Sequence, residues 1–252
     1  MSEQDAQHAG LVADGIDVVY SGAVRAVDGV SLSVAPGEIV ALLGANGAGK
    51  TTTLRAIGGF AAHEHARITR GTVTLDGRDV TRMRPERRAR LGIGIVPESG
   101  KIFERLTVGE HLRSAFRPSQ EDEMQKVLDM FPRLKERSKK LAGLLSGGER
   151  QMLAITITLA HRPTVLMIDE LSLGLAPKVI DELLAILVEI RDTQGVAILL
   201  VEQNIDKVLE IADRCYLMST GRIIGEERAA ALRGRSDVWD LLLGRGIGDG
   251  AA

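Results

Sequence analysis

Aromatic side chains and cysteine are nearly absent from this sequence. Phenylalanine, tyrosine and tryptophan make up 3% of 252 residues, and there is one cysteine, Cys215. So few rings argue against a surface on which nucleic-acid bases stack. One thiol excludes an internal disulfide and a cysteine-rich zinc site, which leaves Cys215 as small core filler. An excess of one charge is also missing: 32 basic residues face 34 acidic ones, for a net charge of −2. That balance gives no bulk attraction to nucleic acid. No run approaches the roughly 18 apolar residues of a membrane-spanning helix. The start, Met1 to Asp5, is polar and acidic, unlike a secretory signal. His8, His63, His65, His111 and His161 show no metal-ligand spacing on a shared element. What the sequence has in excess is glycine, 28 of 252 residues. There is no Gly-X-Y period, so the glycines mark tight turns or backbone brought close to something. With 44% hydrophobic residues the chain can bury a sizeable core, which excludes disorder as its main state.

Short apolar runs separated by turn residues predict antiparallel strands at Ile16–Tyr20 and Val27–Val34, with a break at Pro36-Gly37. Ile39 to Leu43 is almost continuously apolar, as suits a strand buried on both faces. A glycine-rich loop follows, then a helix from about Lys50 to Gly58. An edge strand is expected over residues 68–76, carried by Thr72-Val73-Thr74-Leu75-Asp76, and an arginine-rich helix at 82–91. Ile93–Val96, Val165–Ile168 and Val196–Val201 read as further buried strands, the last two joined by a helix from about Lys178 to Thr193. Strand–helix–strand spacing of this kind means a parallel sheet with crossover helices. Residues 105–162 have helical periodicity and no convincing strand. A final hairpin spans Cys215–Ile224, and there is no internal repeat.

Gly44-Ala45-Asn46-Gly47-Ala48-Gly49-Lys50-Thr51 matches the P-loop pattern, between a buried strand and a helix. Glycines let backbone N–H groups converge on phosphate oxygens, and the helix that follows presents its unpaired N–H groups to the anion. Lys50 is expected to reach the β- and γ-phosphates of ATP, and the Thr51 hydroxyl to hold Mg²⁺; Thr52 continues the same turn. Val165 to Ile168 then delivers Asp169 at a strand's carboxyl end, where ligands sit in open parallel sheets. Asp169 is expected on the metal, and Glu170 next to the attacking water.

Between these halves lies Leu145-Ser146-Gly147-Gly148-Glu149-Arg150-Gln151. Ser146 can cap a helix whose first N–H groups two glycines leave bare, a second anion-binding helix end. P-loop, this heptapeptide and acidic strand end, in that order, resemble the ATPase subunits of ABC transporters over roughly residues 11–243. The resemblance implies an α/β fold: a P-loop NTPase (RecA-like) core with an antiparallel β subdomain and a helical signature lobe at about 98–160. Residues 1–10 and 244–252 would be tails. It further implies that Ser146, Gly147 and Gly148 serve the nucleotide of an opposing ATPase subunit, and that Tyr20 stacks on adenine, although a lone tyrosine is more often filler. Glu98 falls at the Q-loop position and would approach Mg²⁺ or the water. Gln203 stands at the switch-histidine position as a neutral donor, and Ala176 in place of a D-loop aspartate.

Those three replacements are normal in one branch that the sequence resembles further, the branched-chain amino acid importer ATPases of LivF-like type. The shared segments are Val96-Pro97-Glu98, Ile102-Phe103, Leu106-Thr107-Val108, Ser172 to Pro177 and Val201 to Asn204. Leu171, Ser99-Gly100-Lys101, Gly109-Glu110-His111 and Ile157 depart even from that branch. The partners implied are transmembrane permease subunits, a second ATPase subunit in a heterodimer or homodimer, and, indirectly, a periplasmic or extracellular binding protein. The expected location is the cytoplasmic face of the membrane. Other cargoes (urea, amides, another amino acid), an exporter, and a non-transport or regulatory ATP-binding module are the competing readings. Lys135 to Lys140 is a basic run that suits either a solvated face or lipid headgroups and the membrane partner.

Overall fold

Apolar residues alternate between two separate cores across a parallel sheet, and the sheet's carboxyl edge collects the charged residues. A computed structural model describes residues 10–21, 24–98, 102–202 and 204–235. The strands are β1 (Leu11–Tyr20), β2 (Val24–Val34), β3 (Ile39–Leu43), β4 (Ala66–Leu75), β5 (Arg78–Asp79), β6 (Ile93–Val96), β7 (Val165–Asp169), β8 (Ala197–Glu202), β9 (Arg214–Ser219) and β10 (Arg222–Arg228). The helices are α1 (Lys50–Gly58), α2 (Pro85–Arg90), α3 (Val108–Ala115), α4 (Glu121–Asp129), α5 (Pro132–Glu136), α6 (Gly147–Leu159), α7 (Pro177–Gln194), α8 (Ile205–Ile211) and α9 (Ala229–Leu232).

One sheet has the order β10-β9-β3-β8-β7-β6, parallel except for the β9–β10 hairpin. Ile39, Ala41 and Leu43 of β3 face one core with Leu166, Ile168, Ile198 and Leu200. Val40 and Leu42 face the other, with Met167, Leu199 and α1. Every residue of β3, β7 and β8 is buried, which is why these strands read as unbroken apolar runs. The second sheet, β2-β1-β4-β5, is antiparallel and covers the α1 side. Helices α3, α4 and α5 pack on α6 to form a helical lobe. The fold is therefore the expected α/β core with an antiparallel β subdomain and a helical lobe.

Several boundaries differ from the sequence reading. β4 runs from Ala66 to Leu75, two residues ahead of the expected start, since Ala66 and Arg67 pair with Tyr20 and Val19 of β1. It is not a free edge, since the two-residue β5 pairs beyond it. Within 82–91 only α2 is helical: Arg84 is extended and Pro85 opens the first turn. Cys215 is buried, and burial pushes its thiol up to about 12, so it fills space without nucleophilic character.

Candidate functional site

Register decides which side chains meet. Leu43 pairs with Glu202, Val201 with Asp169, and Ile168 with Val96. The P-loop, Glu202, Asp169–Glu170 and Pro97–Glu98 therefore emerge side by side at the carboxyl edge. β3 lies between β8 and β9, so the loop leaving it opens onto a crevice in the sheet order.

The loop itself is shaped by backbone constraints. Gly49 sits at φ 104° as the cap of α1, and a side chain at Gly44 would collide with the Met218 carbonyl. The N–H groups of Gly47, Gly49, Lys50, Thr51 and Thr52 make no backbone hydrogen bond among the described residues. They are the donors an anion would take. Ala48 is different: it is buried, and its N–H is spent on Ala45 O at 3.1 Å. A cleft of about 470 Å³ is lined by Asn46, Gly47, Gly49, Lys50, Thr51, Thr52 and Glu170, with Val24, Arg25 and Ala26 opposite.

Lys50 is buried, and its Nζ donates to Gly44 O at 2.8 Å and Ala45 O at 3.1 Å. Burial lowers its pKa, against the pull of Glu170, Asp169 and Glu202. The Thr51 hydroxyl donates to Asp169 Oδ1 at 2.9 Å. Asp169 is fully buried, and its Oδ2 has no hydrogen-bond partner among the described residues. Burial raises its pKa; Thr51 and Arg55 oppose the rise, and Glu170 and Glu98 add to it. A buried carboxylate oxygen without a donor, beside a threonine hydroxyl, is an oxygen donor set short of a cation. Thr51 and Asp169 thus fit Mg²⁺.

Glu170 is half-buried and has φ 51°, a left-handed conformation that costs a non-glycine residue about 1–3 kcal/mol. Its N–H is tied to Val201 O at 3.0 Å, which holds the turn. Glu170 lines the P-loop cleft and also a neighbouring cleft of about 250 Å³ shared with Glu98, Gly147 and Leu171. The structure thus brings Lys50, Thr51, Thr52, Asn46, Asp169, Glu170 and Glu98 to one region. Gln203 lies outside the described residues, as do Ser99, Gly100 and Lys101.

Tyr20 and Ser146 do not line the P-loop cleft, although the Tyr20 hydroxyl reaches its edge at Thr52. The Tyr20 hydroxyl meets Thr52 Oγ1 at 3.1 Å and Glu64 Oε2 at 3.4 Å, which anchors the end of β1 to α1. The cleft wall on that side is Val24, 63% exposed, with Arg25. Ser146 caps α6 reciprocally with Glu149: its Oγ accepts the Glu149 N–H at 3.3 Å, and Glu149 Oε2 accepts the Ser146 N–H at 2.8 Å. Side chains at Gly147 and Gly148 would strike Leu175 and Val179, so the glycines also permit close packing on the loop before α7 and on its first turn. Arg137 of the basic run donates to Glu149 Oε1 at 3.2 Å, and Lys135 pairs with Asp129.

Sequence reasoning passed over Glu202. Its two carboxylate oxygens accept the Ser172 N–H and hydroxyl, each at 2.7 Å, and fix the loop that follows Glu170. An acid ending an apolar strand beside the P-loop strand was the available signal. The departures have local explanations too. Leu171 and Ile157 pack on the main core. His111 accepts the Phe103 N–H on Nε2, so its proton sits on Nδ1, donated to Thr107 O at 3.0 Å. Glu110 completes a capping box with Thr107.

The penalty on Asp169 makes a prediction. In the fold its proton is held more tightly than in the unfolded chain, so ionisation at neutral pH disfavours folding, and the deficit fades as pH falls through the raised pKa. Asp169→Asn is expected to raise the melting temperature of the nucleotide-free protein by about 2–4 °C, corresponding to about 1 kcal/mol. It should also cancel the extra stabilisation given by Mg²⁺ with nucleotide. Scanning calorimetry reads both, and a lower melting temperature in the free variant would contradict the argument.

The family model for ABC transporters matches residues 27–172. A branched-chain amino acid transport ATP-binding protein of Pseudomonas aeruginosa, BraG, is 42% identical over 229 residues, covering 89% of this chain and 96% of the relative. A probable branched-chain amino acid transport ATP-binding protein of Archaeoglobus fulgidus, LivF, is 39% identical over 198 residues, covering 77% and 82%. Among solved structures, an ATP-binding cassette of an ABC transporter in its ADP conformation has a TM-score of 0.78 at 26% identity, covering 92% of this chain and 94% of that one.

Proposed function

We propose, on the premise that the chain belongs to the ABC transporter family, that it is the ATP-hydrolysing subunit of an importer whose cargo is a branched-chain amino acid. The observation that carries the ATPase reading is the convergence of free P-loop N–H groups, Lys50, Thr51, Asp169 and Glu170 at one sheet edge. The cargo rests on similarity to the BraG protein along nearly the whole of both chains.

In this reading the bare N–H groups of Gly47, Gly49, Lys50, Thr51 and Thr52 receive phosphate oxygens, and Lys50 exchanges its two loop carbonyls for them. Thr51 and Asp169 hold Mg²⁺, which supplies neutralising charge on the phosphates when bound. Glu170 accepts a proton from water, its position fixed by the strained turn and by the Glu202–Ser172 clamp behind it. Glu98 is the link between this edge and the helical lobe. Gln203 orients water or γ-phosphate as a neutral amide, which cannot take the proton itself. Tyr20 and Val24 flank the base, and Ser146, Gly147 and Gly148 face the nucleotide of a second ATPase subunit. The assembly has permease subunits and a binding protein as partners, with this chain at the cytoplasmic face of the membrane.

The test is reconstitution with candidate permease subunits and their binding protein, in liposomes loaded with ATP. Leucine, isoleucine and valine are expected to accumulate through the assembled complex in an ATP-dependent way. Accumulation of urea or amides instead would replace the cargo and leave the ATPase reading intact.

A further inference from the structure

Residues 78–90 include six arginines, and the phosphate site uses none of them. One, Arg88, is 2% exposed. Its Nε donates to Met83 O at 3.0 Å, its Nη1 to Ala56 O at 3.0 Å and to Ile57 O, and its Nη2 to Thr81 O at 2.7 Å. All four acceptors are neutral carbonyls, and Arg88 forms no ion pair among the described residues. Taking a charge out of water is costly, and buried charges are ordinarily paired. Burial lowers Arg88 to about 10, with only the more distant charge of Asp79 acting against the fall.

Arg88 lines a cleft of about 510 Å³. Arg67 and Arg70 of β4 line it too, with Arg82 and Arg84 from the segment before α2. All four are exposed, and none forms an ion pair among the described residues. Glu86 is the single carboxylate on the lining. Asp79 lies close by, with its Oδ1 on the Thr81 N–H at 2.8 Å. Five guanidinium groups around one concave surface focus a positive potential. Their planar forks match the oxygens of phosphate better than a point charge does.

We propose that this cleft is a second anion site, separate from the P-loop, that takes a phosphate group from a free polyphosphate or an acidic phospholipid. It shares no lining residue with the P-loop cleft. The buried guanidinium supplies a fixed charge beneath the ligand, and the exposed arginines supply the donors.

The test compares the full chain with the double variant Arg82→Glu, Arg84→Glu, and with Arg82→Gln, Arg84→Gln as a milder pair. The P-loop is first filled with Mg²⁺ and one equivalent of a non-hydrolysable ATP analogue, with none left in excess, so that added anion reports on the second cleft. One arm titrates sodium pyrophosphate by calorimetry. The other sediments protein with phosphatidylcholine vesicles, with and without phosphatidylglycerol. Wild type is expected to bind pyrophosphate, or the acidic vesicles selectively, at least about tenfold more tightly than the charge-reversed variant, and less tightly in high salt. All variants should keep their affinity for the ATP analogue. Pyrophosphate binding identifies a free anion, and selective vesicle binding identifies a lipid. Wild type that binds neither probe, or variants that bind as well as wild type, would overturn the proposal.

Discussion

Glu170→Gln is expected to slow ATP turnover in the assembled complex by about 10²–10⁴-fold, the usual contribution of a positioned general base, while leaving Mg-ATP affinity intact. The variant is informative because glutamine keeps the size and hydrogen-bonding reach of glutamate and removes only the capacity to take a proton. Glu170 is held at φ 51° with its N–H on Val201 O, and neither restraint involves the carboxylate. The turn should therefore survive the substitution. The result also separates Glu170 from Asp169 one residue earlier. Asp169 is wholly buried against Thr51, whereas Glu170 is half-buried and lines the open cleft. Only the second is placed to meet water. A single-turnover experiment with radiolabelled ATP reads the chemical step directly, and unchanged turnover would remove the general-base role. Lost affinity would instead place Glu170 among the groups that hold the metal.

How much of this was legible beforehand depends on the range of each interaction. β3, β7 and β8 are buried on both faces, so they announce themselves as apolar runs, and the P-loop and Asp169 follow from them by adjacency. The signature segment is equally local, since Ser146 and Glu149 cap their own helix. What stayed hidden was chemistry between residues distant in sequence. The Tyr20 hydroxyl meets Thr52 and Glu64, and no spacing rule connects those three positions. Glu202 and Ser172 are joined only because β8 lies beside β7. Arg88 sits in a stretch read as an arginine-rich helix, and nothing in its local sequence marks it as the arginine that is buried. Gly147 and Gly148 suit bare N–H groups facing an anion, and their closeness to Leu175 and Val179 is a packing demand that the same residues also meet.

Lys50→Ala is expected to weaken ATP binding by about 10–150-fold, the range of about 1.5–3 kcal/mol for hydrogen bonds to a charged group. Lys50 donates to Gly44 O and Ala45 O, which holds its ammonium over the P-loop. That arrangement carries a strain of its own, because burial holds Lys50 below the ordinary lysine range. The sign can be followed through. Where pH lies between the lowered value and the ordinary one, the unfolded chain binds the proton that the fold has given up, so stability rises with pH in that window. A polyanion in the loop reverses the preference and favours the charged ammonium. Nucleotide binding in the same alkaline window should therefore take up a proton, which calorimetry in buffers of different ionisation enthalpy detects. The alanine variant should lose both the affinity and the proton uptake. Loss of affinity with proton uptake retained would assign the titrating group to another residue. Retention of both would show that the loop N–H groups, with Thr51 and Asp169, hold the phosphates without the lysine.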